Sequence, residues 1–420
     1  MKVAFINMTG GIDRGAGYII GAITAAGHKV DFYNSKHFKH NKAIDKIVTI
    51  DYDVIMASSM TLLFPKTVNI LKNIKSKKDI PILLGGIHVI SVGSDLLKSH
   101  PYIDYLCMGE GESMVVEFLE KFGSDKLLSI DNLVYRSGNE IISNPVRPAE
   151  DLSVLPSFPW NLLKRKSVVT KRGMLYVYAT RGCPYNCTYC GNIVYLKLYK
   201  KSYIRSRPIN SVIEELKYLR DKYKPEIFYF GDEMIFANEK YARELFTAIY
   251  KEVKVPYGGM GRVESINPSL SEYLEETGCK YLGMGIECGN EEFRKKVLNR
   301  HMTNEQIKNA FRLCKKHNIF TTAFNMIGYP VDYDDELTQE TIKFNQEIKP
   351  DFSQVTTFYP FVGTKLYDYC VENNLIDKTL NVRRYHGESI LKGYKVKKKL
   401  LEISKLLNPQ GFIFGNKISL

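Results

Sequence analysis

Along the first 125 residues, short apolar runs alternate with longer stretches of helical spacing. Runs at residues 3–7, 30–33, 54–57, 81–84 and 102–107 predict five strands, and helices are predicted over 18–26, 67–77 and 113–122. Strands that alternate with helices imply βαβ units, hence a Rossmann-like domain on a parallel sheet. Three glycine-containing loops follow the strands: Thr9-Gly10-Gly11, Gly85-Gly86-Ile87-His88 and Gly109-Glu110-Gly111-Glu112. In such sheets ligands sit outside the carboxyl ends of the strands, where these loops fall.

Residues 126–172 break that rhythm. A β-like stretch at 132–135 and 140–143 precedes Pro145, Pro148, Pro156 and Pro159, around the only tryptophan, Trp160. Proline at that density predicts an extended connector. A second alternating series begins at Met174, with strands predicted at 175–179, 226–230, 257–260, 281–286, 321–327 and 352–358. Helices are predicted between and after them, at 209–222, 238–252, 268–277, 304–317, 334–346 and 364–374. Six βα units fall short of an eightfold barrel and suit an open, partial (β/α)6 TIM-type barrel. The expected fold is therefore α/β: a Rossmann-like domain over 1–125, a connector over 126–172, a partial barrel over 173–375 and a short basic C-terminal extension over 376–420. Lys395, Lys397, Lys398 and Lys399 cluster in that extension. No internal repeat of period 20–50 is present.

Composition narrows the class. With 44% hydrophobic and 25% charged residues the chain is neither disordered nor fibrous. No apolar run reaches the 18 residues of a membrane helix, and residues 1–7 enter a strand without a secretory signal, so a cytoplasmic location is expected. A net charge of +13 favours anionic partners: nucleic acid, phosphorylated small molecules, acidic lipid or acidic electron carriers. Of eight cysteines, five are scattered and three crowd into residues 183–190. That distribution points to a cytosolic metal site rather than a disulfide framework.

The crowded segment is Cys183-Pro184-Tyr185-Asn186-Cys187-Thr188-Tyr189-Cys190, entered through Thr180-Arg181-Gly182 directly after a strand. Three thiolates from one loop can hold three corners of a cubane iron–sulfur cluster. Zinc is the competing reading, but it needs a fourth ligand, and no second C-x-x-C pair exists; His301 or His317 would have to serve unaided. The blandest reading is three buried thiols acting as small hydrophobes.

A C-x-x-x-C-x-x-C loop after the first strand of a βα barrel resembles the radical S-adenosylmethionine superfamily. The order of parts over residues 1–375 resembles, more narrowly, its subfamily with an N-terminal cobalamin-binding domain. Residues 85–88 and 109–112 resemble that domain's two glycine loops, residues 152–160 its leucine-proline connector, and Phe361-Val362-Gly363-Thr364-Lys365-Leu366-Tyr367 the exit of the sixth barrel strand. The resemblance implies a [4Fe–4S] cluster on Cys183, Cys187 and Cys190, with the free iron chelating the methionyl amino and carboxylate groups of S-adenosylmethionine. One electron from the cluster then cleaves the S–C5′ bond, and the 5′-deoxyadenosyl radical takes hydrogen from an unactivated carbon.

Site residues follow by position. Tyr189 resembles the aromatic residue beside the adenine. Gly231, Asp232 and Glu233 stand where the family meets the methionyl amino group. Glu287, in Gly285-Ile286-Glu287-Cys288-Gly289, resembles the ribose ligand, with Cys288 where the family commonly has serine. Arg300 resembles the arginine near the methionyl carboxylate, and residues 327–330 either pass the adenine or form a plain turn. Cobalamin would be wrapped by 9–13, 58–61, 85–88 and 109–112, which include Thr9, Gly10, Ser58, Gly85, Gly86, His88, Gly109 and Glu110. No D-x-H-x-x-G motif occurs: none of His28, His37, His40, His88 and His100 follows an aspartate two residues earlier. The resemblance therefore implies cobalamin without a protein histidine on cobalt, and His88 reads as structural. The alternative is a relic domain that only shapes the substrate cavity.

With cobalamin, the resemblance implies methyl transfer to the carbon radical; some members instead close or rearrange rings. The substrate is expected to be a small molecule or peptide, an anionic one suiting the charge, and the electron donor a flavodoxin or ferredoxin. No residue is identified as catalytic. Two rivals stand beside this reading. Basic stretches at 164–166, 197–207 and 392–399 suit a radical enzyme that modifies nucleic acid without cobalamin, although no RNA-binding module follows residue 375. A non-catalytic sensor of corrinoid or metal leaves the cysteine triplet without purpose.

Overall fold

The computed structural model describes residues 1–408 apart from positions 12, 41, 378–379, 381–387 and 393–396. It divides into two compact units, Met1–Leu163 with Lys197–Ser202, and Lys164–Leu196 with Tyr203–Leu420. Of the basic C-terminal cluster, Lys395 lies outside the described residues, and Lys397, Lys398 and Lys399 open the helix Lys397–Leu407.

The first unit carries strands β1 (Lys2–Asn7), β2 (Lys29–Asn34), β3 (Val54–Ser58), β4 (Ile82–Gly85), β5 (Tyr105–Cys107), β6 (Leu133–Ser137) and β7 (Glu140–Ser143), in sheet order β2-β1-β3-β4-β5-β6-β7. The first five pair in parallel. Successive side chains of a strand point to opposite faces, and both faces are covered. Ala4 and Ile6 join Ile55, Ala57 and Leu84 in one core with Leu71 and Ile74 of the helix Phe64–Lys75. Val3 and Phe5 join Val54, Met56 and Leu83 in the other with Ile20 and Ile23 of the helix Arg14–Ala25 and Phe118 of the helix Glu112–Lys121. Double coverage is why these strands read as unbroken apolar runs.

The sheet is not wholly parallel. β6 pairs antiparallel with β5, and β7 with β6, so the β-like stretch assigned from sequence to the connector extends the first sheet instead. A tight turn at Gly138 makes the antiparallel hairpin, and only its pairing with β5, more than 25 residues away, decides its domain. The proline-rich stretch beyond it also packs on this unit. A Cβ built on Gly17 would fall 1.9 Å from the Phe158 ring, and one on Gly21 would fall 2.6 Å from the Ser157 carbonyl oxygen. Gly21→Ala is therefore expected to destabilise this unit by about 1–3 kcal/mol, read as a lowered midpoint of thermal unfolding; an unchanged midpoint would show that the connector does not rest on the helix.

The second unit holds a six-stranded sheet, all parallel, in order β15-β14-β13-β12-β11-β8. Its strands are β8 (Met174–Val177), β11 (Ile227–Phe230), β12 (Tyr257–Gly261), β13 (Cys279–Glu287), β14 (Phe320–Ile327) and β15 (Phe352–Thr357), while β9 (Thr180–Arg181) and β10 (Arg205–Ser206) form a short antiparallel pair. On one face Phe230 and Tyr257 meet Phe246 of the helix Glu239–Ala248, with ring centroids 5.5 and 4.1 Å away. On the other face Tyr176 and Tyr229 pack at 5.1 Å, and a Cβ on Gly283 would lie 2.6 Å from the Phe324 ring. That face is an aromatic filling for which glycine makes room.

The helices Ile209–Tyr223, Pro268–Glu276, Asn304–Lys316, Asp334–Ile348 and Lys365–Glu372 fall where the periodicity predicts them. Thr303 and Gln306 close a capping box at the start of one of them. The helix expected over 238–252 ends at Ala248 and continues as a π-helical turn, Ile249–Val253. Among the described residues no helix is long and apolar enough to cross a membrane.

Candidate functional site

The cysteine loop leaves the end of β8 through a turn that the backbone itself fixes. Gly182 has φ +104°, and a Cβ there would lie 2.4 Å from the Tyr203 carbonyl oxygen, so only glycine fits. Asp232, wholly buried after β11, accepts from Ala179 N at 3.0 Å, from Thr180 N and from Thr180 Oγ1 at 2.6 Å. Glu233 Oε2 accepts from Gly182 N at 3.4 Å. Gly231 is small because the Tyr178 ring would lie 2.7 Å from a Cβ. The Gly231-Asp232-Glu233 segment thus braces the entry of the cysteine loop, and one Asp232 oxygen is engaged by that turn. Farther along, Thr188 Oγ1 donates to Val297 O at 2.6 Å and Leu366 N donates to Thr188 O at 3.1 Å.

Cys187 is buried, Cys183 and Cys190 are half-buried, and none of the eight cysteines is in a disulfide. Burial pushes the Cys183 thiol up and the Cys190 thiol up to about 12, so these groups stay protonated until a metal displaces the proton. Among the described residues no three His, Cys, Asp or Glu side chains converge on one point as single-ion ligands would. A cubane takes its thiolates on separate irons, which needs no such convergence. The donors around Cys187 suit an anionic sulfur ligand: Arg262 Nη1 lies 3.7 Å and Arg300 Nη1 3.9 Å from its Sγ.

Next to this loop the structure gathers Tyr189, Glu287 and Arg300. A bulge in the pairing of β13 with β14 falls between Gly285 and Glu287, and Glu287 takes φ +68°. Arg300, 5% exposed, donates to Gly285 O at 2.5 Å and to the Tyr189 hydroxyl at 3.3 Å, and faces Glu287 Oε1 at 3.8 Å. Burial raises the Glu287 carboxyl against the pull of Arg300. A Cβ on Gly285 would lie 2.4 Å from Glu287 Oε1 and 3.3 Å from Arg300 Nη2, so the glycine keeps carboxylate and guanidinium side by side. The buried Arg300 Nε has no hydrogen-bond partner among the described residues. A carboxylate that can accept from two hydroxyls, a guanidinium fork for a carboxylate and an aromatic ring between them fit the ribose, methionyl and adenine parts of S-adenosylmethionine. The turn at 328–330 closes the group: Tyr329 donates its hydroxyl to Glu287 O at 3.2 Å, and Asp334 Oδ1 holds Gly328 N and Tyr329 N at 2.8 Å each. Arg294, fully buried, donates to Cys288 O at 2.6 Å and fixes the segment leading to Arg300. Arg262 and Arg294 escaped the sequence reading; a polar residue just past the end of an apolar barrel strand was the available signal for Arg262.

In the first unit the loops after β1, β3, β4 and β5 lie at the carboxyl ends of the parallel strands. Thr9 N and Oγ1 donate to Asn7 Oδ1, and nothing stands within 4 Å of a Cβ on Gly10 or Gly11, so that loop is open. Residues 58–61 and 85–88 are knitted together, with Ser59 N donating to Gly85 O at 3.0 Å and His88 N to Ser59 O at 3.2 Å. Gly86, at φ +100°, would place a Cβ 2.6 Å from Ser59 N and 2.9 Å from Ser58 Oγ. The open loop at Gly10 and Gly11 leaves room for a ligand at the strand ends. His88 points elsewhere: its ring lies 4.0 Å from the Phe64 ring, and Nδ1 meets Thr61 Oγ1 at 3.2 Å. Burial, with His100 nearby, lowers its pKa to about 4.

His88 is thus neutral when folded, and the stability it contributes is complete above pH 6.5 and withdrawn as the pH falls to about 4. The shift corresponds to about 3 kcal/mol. Comparing denaturant midpoints at pH 7 and 4.5, the expected loss is smaller in His88→Leu than in the unaltered chain; equal losses would place the titration elsewhere.

The loop after β5 is mostly a lock. Glu110 N donates to the Tyr199 hydroxyl at 2.6 Å, and Glu110 Oε2 accepts from Glu150 N at 2.7 Å. Gly109, at φ +123°, is confined by the same hydroxyl, 2.4 Å from a built Cβ. Glu150 in turn accepts from Ser113 N and Oγ at 2.9 and 2.5 Å.

The radical SAM superfamily profile matches residues 177–342, and the B12 binding domain profile matches residues 9–119. The chain is 28% identical over 322 residues to an uncharacterized methyltransferase, PH0819, of Pyrococcus horikoshii, covering 75% of this chain and 68% of that one. It is 24% identical over 373 residues to the anaerobic magnesium-protoporphyrin IX monomethyl ester cyclase of Cereibacter sphaeroides, covering 83% of this chain but only 59% of the cyclase. In fold it is similar to the radical S-adenosylmethionine methyltransferase TsrM from Kitasatospora setae with cobalamin and [4Fe–4S] cluster bound, at a TM-score of 0.72 and 15% identity over 89% of this chain and 78% of that one. The chain therefore carries a B12 binding domain followed by a radical SAM superfamily domain, a pair whose cofactors are a [4Fe–4S] cluster, S-adenosylmethionine and cobalamin.

Proposed function

We propose that the chain methylates an unactivated carbon of a small-molecule or peptide substrate. The observation that carries this reading is the pairing in one chain of a B12-binding domain with a barrel that gathers Tyr189, Glu287 and Arg300 beside the cysteine loop. When bound, the three cofactors supply a one-electron route to a carbon radical and a carrier for the methyl group. The protein's share is placement. Cys183, Cys187 and Cys190 hold the cluster, Glu287 takes the ribose hydroxyls, and Arg300 takes the methionyl carboxylate. Tyr189 flanks the adenine, while Tyr329, Met326 and Phe358 pack around it and keep water away. Asp232 keeps the turn ahead of Cys183 from shifting. The fold of a cobalamin-bound methyltransferase and the relative named as a methyltransferase support methylation. The likeness to a ring-forming cyclase supports cyclisation as the second reading.

The reaction needs a one-electron reductant. An acidic flavodoxin or ferredoxin suits the +13 balance, as does an anionic substrate, and a cytoplasmic setting suits eight free cysteines. The deciding experiment is anaerobic reconstitution with iron, sulfide and hydroxocobalamin, followed by reduction with S-adenosylmethionine and candidate substrates. Corrinoid absorption that survives desalting, 5′-deoxyadenosine, and S-adenosylhomocysteine formed only with substrate are expected. Turnover to 5′-deoxyadenosine and a ring-closed product without S-adenosylhomocysteine would replace methylation by cyclisation.

A further inference from the structure

The end of β12 carries a charged pair to which the placement of S-adenosylmethionine proposed above gives no role. Arg262 is 7% exposed, and its guanidinium carbon stands 3.7 Å from the centroid of the Tyr185 ring, two residues before Cys187 in the cysteine loop. Its Nη1 lies 3.7 Å from Cys187 Sγ. Glu264 grips the other side of the fork, accepting from Nη2 at 2.5 Å and from Nε at 3.2 Å. The guanidinium is therefore oriented by a carboxylate, stacked on the loop's own tyrosine and aimed at one cysteine sulfur. Arg300 also reaches Cys187, at 3.9 Å, but it is shared with Glu287, Tyr189 and Gly285 O.

We propose that Arg262 is a positioning residue that sets the reduction potential of the cluster through the Cys187 sulfur, with Glu264 as its counterweight. One-electron reduction adds negative charge to the cluster. A cation hydrogen-bonded to a ligand sulfur stabilises the reduced form more than the oxidised form and raises the potential. A carboxylate on the far side of that cation works in the opposite sense. The two side chains therefore push the potential in opposite directions, a pattern that a purely structural clamp does not produce. The proposal rests on the cluster-bearing reading of the cysteine loop.

The test is an EPR-monitored redox titration of the reconstituted full-length protein, with iron and sulfide measured on each sample and dithionite as the electron source. In Arg262→Gln the reduction equilibrium is expected to fall by about tenfold, a negative shift of about 59 mV for one electron. Glu264→Gln is expected to move the midpoint positively, and Arg262→Lys, which keeps the charge and loses the fork, to fall between Arg262→Gln and the unaltered chain. Unmoved midpoints at full cluster content, or shifts of the same sign in Arg262→Gln and Glu264→Gln, overturn the proposal. If Arg262→Gln fails to load, an unmoved midpoint in Glu264→Gln overturns it and a positive shift there sustains it. An unaltered chain that takes up no iron–sulfur cluster would instead refute the family reading beneath it.

Discussion

Replacement of Cys183, Cys187 or Cys190 by alanine, one at a time, is expected to abolish reductive cleavage of S-adenosylmethionine and to strip the reconstituted protein of cluster iron. On the cluster-bearing reading each thiolate would hold a separate corner, while Cys107, Cys279, Cys288, Cys314 and Cys370 are all buried. Cys187→Ala carries an added cost. It removes the buried sulfur on which Arg262 Nη1 and Arg300 Nη1 converge and leaves a gap beside both guanidinium groups. Its thermal midpoint is therefore expected to drop further than those of Cys183→Ala and Cys190→Ala, measured without iron. Cleavage activity surviving in all three variants would remove the cluster from this loop.

Glu287→Gln is expected to weaken binding of S-adenosylmethionine by about 1.5–3 kcal/mol, the worth of a hydrogen bond to a charged group. Gly285→Ala is expected to do nearly the same by a different route. The new methyl group meets the far end of the Glu287 side chain, not the backbone, so the fold survives while the carboxylate is driven from its place beside Arg300. Because both changes act on one interaction, the double variant is expected to lose little more than the worse single one. Equilibrium binding to the reconstituted protein checks this, and full additivity would mean that Gly285 serves something other than the position of Glu287.

Much of this was readable before any coordinates, and the rest failed for identifiable reasons. The cysteine loop and the six barrel strands announce themselves through local pattern, spacing in one case and apolar runs in the other. The 133–143 hairpin was visible as strands, but its home was not, since antiparallel pairing of β6 with β5 is a non-local choice. Asp232 and Glu110 show the limit for charged loop residues. Both stand in loops where a ligand is expected, yet one braces Ala179 and Thr180 and the other holds Glu150 N, and nothing in one sequence distinguishes a carboxylate aimed at a ligand from one aimed at an amide. His88 is the converse. With no aspartate two residues earlier it reads as structural, and the structure packs its ring against Phe64. Arg262 was overlooked because an arginine after Tyr257-Gly258-Gly259-Met260-Gly261 looks like any polar residue ending a strand.

The polypeptide leaves the first unit at Leu163, builds the cysteine loop, and re-enters that unit at Lys197–Ser202, where the Tyr199 hydroxyl receives the Glu110 amide. No single cut therefore separates the corrinoid half from the iron–sulfur half without orphaning a buried N–H. A piece cut to residues 1–163 would lack Tyr199, and with it the acceptor of the Glu110 amide.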